Sequence, residues 1–438
     1  MIVAVVWWLL RCGGCCAVQC GSLEWPTALG SGGVSRDYAG TSGGGAIVLL
    51  ANATAGTFAE INGTIRVNAL AAVTAQSGDS NFPGGGGSGG SIAIEASVLL
   101  GSSSGLLQAN GGQGGVSVQY GRHAGSGSGG RISVNAASTS FAGSVQAFGG
   151  VAAGGQAAGA AGTVFWSTGA NRATRLRRLI IDNANRSGGN AVLTDVNREV
   201  YAFDVVTVSN VGRLAWTPAS TALSTPSSLV VTSLVGDAAS SGRVSIDALT
   251  VLVLPSTYTI RGMQVVVTGT LSGASTLTLD GAATLTLPST ARTMGQSAGV
   301  LSFSSVTLRG DSLLSGTALA RMSVNSLITV LDTSRIVLNT LSGFVLTVAT
   351  LDLSSTSSLT FSGQWTLETT TSLLMRPGSV ISGDSGGNVA GVGCGSGSQQ
   401  SGGSYGGFGS IGHTGGSAMP PVSRRPGYEH VFRVGCDT

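Results

Sequence analysis

The chain contains no lysine: its 22 basic residues are all arginine, and 19 acidic residues leave a formal charge of +3. A phosphate loop of the G-x-x-x-x-G-K type is therefore excluded, because the lysine that reaches the phosphates is missing. Charged residues are only 9% of the chain, far below the quarter usual for soluble domains. Nucleic-acid binding needs a dense basic stripe and is not expected. The one local cluster, Arg172, Arg175, Arg177 and Arg178, reads as a solvated junction. Aromatic residues are 5%, which argues against a series of sandwiches or barrels with aromatic-rich cores. Intrinsic disorder needs low hydrophobicity and high net charge, and this chain has neither. Cysteine is confined to the two extremes, at Cys12, Cys15, Cys16, Cys20, Cys394 and Cys436. Cys12 and Cys15 have CxxC spacing, but no histidine or second pair lies near them, so a zinc site is not supported.

Long apolar runs are also missing. "MIVAVVWWLL", Met1 to Leu10, is too short to span a bilayer but has the length of a signal-peptide core. Residues 1–20 are accordingly expected to be a signal peptide, and no transmembrane segment is expected. The sequons at Asn52, Asn62 and Asn185 are candidate N-glycosylation sites and fit secretion.

What is abundant is glycine, 71 residues, without the strict third-position period of collagen. The glycines punctuate a repeat. "GGGAIVLL" ending at Leu50, "GGSIAIEA" ending at Ala96, "GGRISVNA" ending at Ala136 and "AAGTVFW" ending at Trp166 each join a small-residue tract to an alternating strand. The first three are followed by a second short strand, "GTIRVNA" from Gly63, "GLLQANGG" from Gly105 and "GSVQAFGG" from Gly143. The first starts lie about 40–45 residues apart, a spacing within the range of stacked-repeat architectures. Residues 28–170 are thus expected to form a glycine-rich β-solenoid cassette. Residues 171–380 are poorer in glycine and read as short strands of alternating aliphatic and Ser/Thr residues, such as "RVSIDALTVLVL" and "STLTLDGAATLTL", which put one face inward and one outward. Residues 381–420 look like the start of a second glycine-rich cassette, and 421–438 are an unpatterned tail. The absence of a helical apolar period predicts very little helix.

Many short strands with few aromatics favour an all-β, right-handed parallel β-helix, a solenoid in which each coil buries the aliphatic row of the next. Coils of about 20–25 residues stacked at strand spacing would give about 15 coils. The glycine tracts are expected as turns and excursions between strands, where positive φ or close backbone approach requires glycine. From about Ser31 to Ser417 the pattern resembles the pectin-lyase-like parallel β-helix superfamily, and more narrowly the glycine-rich cassettes of adhesin-like surface proteins. The resemblance implies a secreted or cell-surface structural or adhesive protein, part of a larger one, without catalysis or cofactor. Extracellular polysaccharide or other cell-surface components are its expected partners.

Several motifs imitate active sites. Gly383-Asp384-Ser385-Gly386-Gly387 spells the nucleophile loop of trypsin-like proteases. That chemistry needs a histidine to take the serine proton and an aspartate to orient it. Only His123 precedes Ser385, and its context "YGRHAGSG" is foreign to that family. "GQSAG", Gly295 to Gly299, matches a nucleophile elbow, which requires a helix after it; a strand follows instead. Polysaccharide lyases and glycoside hydrolases on a β-helix are the main alternative, and they need converging carboxylates. Asp182, Asp195, Glu199 and Asp204 come closest, with Asp182 and Asp204 placed to stack one coil apart. A saccharide- or ice-binding face is a second alternative, for which Thr276, Thr278, Thr284 and Thr286 are the candidates. No catalytic, metal or cofactor residue is assigned.

Overall fold

The computed structural model describes residues 2–5, 22–34, 41–51, 58–72, 83–117, 120–154, 156–193, 200–216, 227–237, 239, 241–339, 343–354, 356–363 and 365–383. The second glycine-rich cassette beyond Gly383, the unpatterned tail, every cysteine and Asn52 lie outside them. The described residues are nearly all β-strand, and a single 3-10 turn, Arg172–Thr174, is their only helical element. The expectation of very little helix holds. The chain divides into two compact units, residues 1–274 with 280–285, and residues 275–279 with 286–438.

The first unit begins with the repeats. Strands Ala46–Ala51, Ser91–Gly101, Arg131–Phe141 and Thr163–Thr168 pair in parallel, with Ala46 opposite Ser91, Ser91 opposite Arg131 and Arg131 opposite Thr163. The register follows the aliphatic columns: Ile47, Ile92, Ile132 and Val164 align, and so do Leu49, Ile94, Val134 and Trp166. A one-residue slip would turn each of these side chains to the other face. A companion ladder joins Thr64–Arg66, Leu106–Gln108 and Ser144–Gln146 in parallel. Its Leu107 meets Ile92, Ile94 and Val134 in one buried cluster. Within residues 1–20, strand Ile2–Val5 lies antiparallel on Ala46–Ala51.

The glycine tracts of the first unit are not merely excursions: they bond one another in rows. Of the two reasons for glycine, positive φ and close backbone approach, the second governs these rows, while Gly121 and Gly154 keep the first. Residues 87–90, 127–130 and 159–162 lead directly into their strands and bond one another through Gly89 N to Ser128 O and Gly129 N to Ala160 O, both 2.9 Å. A second row, residues 67–70, 109–112 and 147–150, is tied to the first by Gly90 N to Val67 O (2.8 Å), Gly130 N to Ala109 O (2.7 Å) and Gly162 N to Ala147 O (2.7 Å). Gly86 and Gly89 face the carbonyls of Gly112 and Ala109, while Gly87 and Gly90 face those of Ser42 and Gly45. That three-residue period is the period of a polyproline II helix, which has no internal hydrogen bonds and must find partners outside itself. None of these four glycines has a left-handed φ. The residue type is required here by the close approach of neighbouring backbones, not by turn geometry. Asparagines finish the row: Asn68 Oδ1 accepts from Asn110 N (2.7 Å), and Asn110 Oδ1 accepts from Phe148 N (2.8 Å).

At residues 169–175 the chain reverses, so Leu176–Asp182 runs antiparallel to Thr163–Thr168. Parallel pairing then resumes through Val200–Ser209 and Ser227–Val235, with a facing ladder of Ala191–Leu193, Arg213–Trp216, Gly242–Ile246 and Met263–Val267. Tyr201 packs edge-on to Trp216 with ring centroids 4.6 Å apart.

In the second unit one ladder runs through Val300–Leu308, Arg321–Val330, Phe344–Leu353 and Trp365–Met375. The other runs through Leu313–Thr317, Arg335–Asn339, Ser358–Ser362 and Val380–Ser382. Partners on the first ladder, Leu301, Met322, Leu346 and Leu367, are 21, 24 and 21 residues apart. The alternation of aliphatic and hydroxyl residues buries Leu301, Phe303, Leu346 and Val348 while their neighbours stay partly exposed. Turns recur between successive repeats: Asp311, Asp332 and Thr356 take positive φ within them, and Ser312, Ser334 and Ser357, which align in register as each turn ends, are fully buried. Ser312 N donates to Ser334 Oγ at 3.1 Å, which links one turn to the next.

Candidate functional site

The described residues that best form a site lie in the first unit, where the repeats meet the chain reversal. Glu95, Asn135, Ser167 and Arg177 occupy a single cross-strand row. Four strands at about 4.8 Å spacing make that row about 14 Å across. Such polar residues belong on an outward face, and residues 22–28 lie over the neighbouring part of it. Leu23 and Pro26 are buried there, Ser133 Oγ donates to Glu24 O (2.6 Å), and Ser91 Oγ donates to Ala28 O (2.6 Å). The opposite wall is the reversing segment with Arg172, Ala173 and Arg175. The result is a cleft of about 510 Å³ lined by Glu24, Trp25, Glu95, Arg172, Arg175 and Arg177 together with the row itself.

The cleft brings three guanidinium groups against two carboxylates. Arg177 pairs with Glu24, its backbone N–H donates to Asp204 Oδ2 (2.7 Å), and its guanidinium lies 5.6 Å from the Phe165 ring centroid and 5.7 Å from that of Phe203. Arg172 pairs with Glu95 from a largely exposed position, so that pair adds little to stability. Arg175 is held differently. Its Nε donates to the Gly169 carbonyl at 2.8 Å. Burial, and then the nearby charge of Arg172, lower its pKa from the ordinary arginine value, while Glu95 pulls the other way.

This arrangement revises the reading of the arginine cluster as a merely solvated junction. Arg172 and Arg178 are exposed, but Arg175 and Arg177 are half-buried around a concave surface. Glu24, Trp25, Glu95, Asn135 and Ser167 were not singled out from the sequence. A signal existed for three of them: Glu95, Asn135 and Ser167 fall in the same column when "SIAIEA", "RISVNA" and "TVFWST" are aligned. Glu24 and Trp25 precede the repeats and carry no such signal.

The carboxylate cluster read from the sequence does not assemble among the described residues. Asp204 stands across from Arg177, whereas Asp182 is opposite Ser209. Five residues of strand separate the two, or about 16 Å. Asp182 instead accepts from Ala184 N (2.7 Å) and Asn210 Nδ2 (2.9 Å) in a turn. Asp195 and Glu199 lie outside the described residues, as does Ser385. His123 sits on a short hairpin, Arg122–His123 against Val116–Ser117. "GQSAG" forms a turn with positive φ at Gly295 and Gly299 and leads into strand Val300–Leu308, not into a helix. Thr276 and Thr278 stand opposite Ser305 and Thr307 in the second unit. Thr307 aligns with Thr329, but that column continues to Asp352 and the Ser305 column to Leu327. Asn62 Nδ2 donates to Glu60 Oε1 (2.7 Å), and its Oδ1 accepts from Ser102 N (2.8 Å). Asn185 is exposed at a left-handed turn position with φ 60.

Among the described residues no group of three or more His, Cys, Asp or Glu side chains could hold a metal ion, and no helix is long and apolar enough to cross a membrane. No protein-family model, curated protein or solved structure matches the chain.

Proposed function

We propose that the chain is a non-enzymatic, secreted or cell-surface structural or adhesive protein, and that its repeats form a parallel β-solenoid. The observation that carries this reading is the parallel pairing of successive repeats on either side of the reversal at residues 169–175. Each aliphatic column lies on the one before it, and the glycine tracts are hydrogen-bonded row to row. Such a stack gains its stability from neighbours rather than from sequence-distant closure, which suits a load-bearing spacer. The surface fits the same role, with small hydroxyl side chains and few charges. The enzymatic alternative needs two carboxylates converging on one groove. Asp182 and Asp204 stand apart, and Glu24 and Glu95 are each engaged by an arginine.

Two measurements test the proposal. Stretched between its ends in a force-spectroscopy experiment, the second unit should release chain in increments of one repeat. For 21–24 residues that is about 70–85 Å per step. A single low-force drop without repeating increments would refute the mechanical role. Expressed in a eukaryotic secretory host, the full chain should reach the medium or cell surface with a glycan on Asn185, and Asn185→Gln should remove that mass. Retention inside the cell without glycan would refute the localisation.

A further inference from the structure

The cleft at the chain reversal gathers three arginines and two carboxylates around one concave surface. Arg172, Arg175 and Arg177 meet only two carboxylates, Glu24 and Glu95, among the lining residues. Glu24 is engaged by Arg177 and Glu95 by Arg172. Arg175 has its Nε on the Gly169 carbonyl, and among the described residues its two terminal nitrogens, which form the fork, make no hydrogen bond. A guanidinium fork matches a carboxylate in bidentate geometry. With Asp204 beside Arg177, the three arginines face three carboxylates, so a dianion would meet Glu24 and Glu95 with no surplus positive charge to hold it, whereas a monoanion fits the fork of Arg175. Trp25 and Ala173 add apolar surface to the same lining, and the cleft volume of about 510 Å³ lies in the range of small-molecule sites.

We propose that this cleft binds an organic monocarboxylate, its carboxylate held by Arg175 with Arg172 beside it and its apolar body against Trp25. The proposal does not rest on the mechanical role, since a spacer of any kind could carry the site.

The test is isothermal titration of the full chain with benzoate, acetate and inorganic phosphate as separate probes. Benzoate should bind at about millimolar concentration or tighter, acetate more weakly for want of an apolar body, and phosphate most weakly. Arg175→Ala should weaken benzoate at least about tenfold, the scale of one lost charge-assisted contact. Arg175→Gln, which keeps a donor for Gly169, should lose binding while holding the fold, as judged by far-ultraviolet circular dichroism. Arg178→Ala, exposed on the following strand Leu176–Asp182, should bind as the parent does. No benzoate binding by the folded parent chain would overturn the proposal. So would binding undiminished in Arg175→Gln, or a preference for phosphate.

Discussion

Gly127 and Gly125 lie two residues apart in one glycine tract, and the structure gives them opposite fates on substitution by alanine. A Cβ on Gly127 would fall 1.9 Å from the backbone oxygen of Gly87, whereas real Cβ atoms essentially never come within 3.0 Å of such an atom. The obstacle is main chain, so no side-chain rotation relieves it. The tracts must part by more than an ångström, and Gly127 is hydrogen-bonded on both sides, through its N–H to Gly112 O (2.9 Å) and its carbonyl from Gly150 N (2.8 Å). Stretching two such bonds past useful length costs about 1–3 kcal/mol each. Gly127→Ala should therefore destabilise the first unit by about 2–5 kcal/mol. A Cβ on Gly125 meets nothing within 4 Å. There alanine mainly restricts the unfolded chain, so Gly125→Ala should be neutral or stabilising by up to about 1 kcal/mol. Urea denaturation followed by circular dichroism reads both, as a shift of midpoint at constant slope. If the two variants unfold within about 1 kcal/mol of each other, the tracts are not packed row on row, and the account of them as layers is wrong.

Other outcomes follow from packing and charge. Phe361 is 1% exposed and stacks on Trp365 with ring centroids 4.0 Å apart, so Phe361→Ala should cost the second unit about 3–5 kcal/mol in denaturant titration. Asp237 has its pKa set by opposing effects. Burial alone would raise it, but hydrogen bonds from the Ser241 hydroxyl and N–H and from the Asn210 and Ala239 N–H groups outweigh burial and hold it below the ordinary value. A depressed carboxylate pKa contributes stability that is present above the unfolded-state pKa, near 4, and is lost as pH falls through the folded value. Asp237→Asn should therefore lower stability at neutral pH and flatten its decline below about pH 4. An unchanged pH profile would show that these hydrogen bonds do not favour the ionised form.

How much was legible in advance differs from element to element. The strand "RISVNA" could be read because its alternation has the period of a pleated backbone, and its tract and second strand recur with the same order in the neighbouring repeats. For "GSGG" before it the sequence leaves two reasons for glycine open, positive φ and close backbone approach. A glycine needed for positive φ and one needed for close approach look identical in sequence, and only the carbonyl of another tract some 40 residues away distinguishes them. Asp182 and Asp204 illustrate the same limit. Their separation along the chain is compatible with stacking, but the register is set by Leu179 against Val206 and Ile181 against Val208, and that register moves the carboxylates apart.

Sequence by itself determined the class of structure: period-two aliphatic patterns separated by turn residues, with no helical period, permit little other than β-sheet. It also determined the alternation of aliphatic and polar positions, but not that the polar side is covered as well, as the burial of Ser91, Ser133 and Thr163 shows. Only tertiary structure decided where the chain reverses, which tracts lie beside which, and that Glu24 and Trp25 line one cleft with Arg175 and Arg177. The cleft joins segments up to about 150 residues apart, through the Glu24–Arg177 pair, and its geometry depends on the register of every strand between them, which no local pattern encodes.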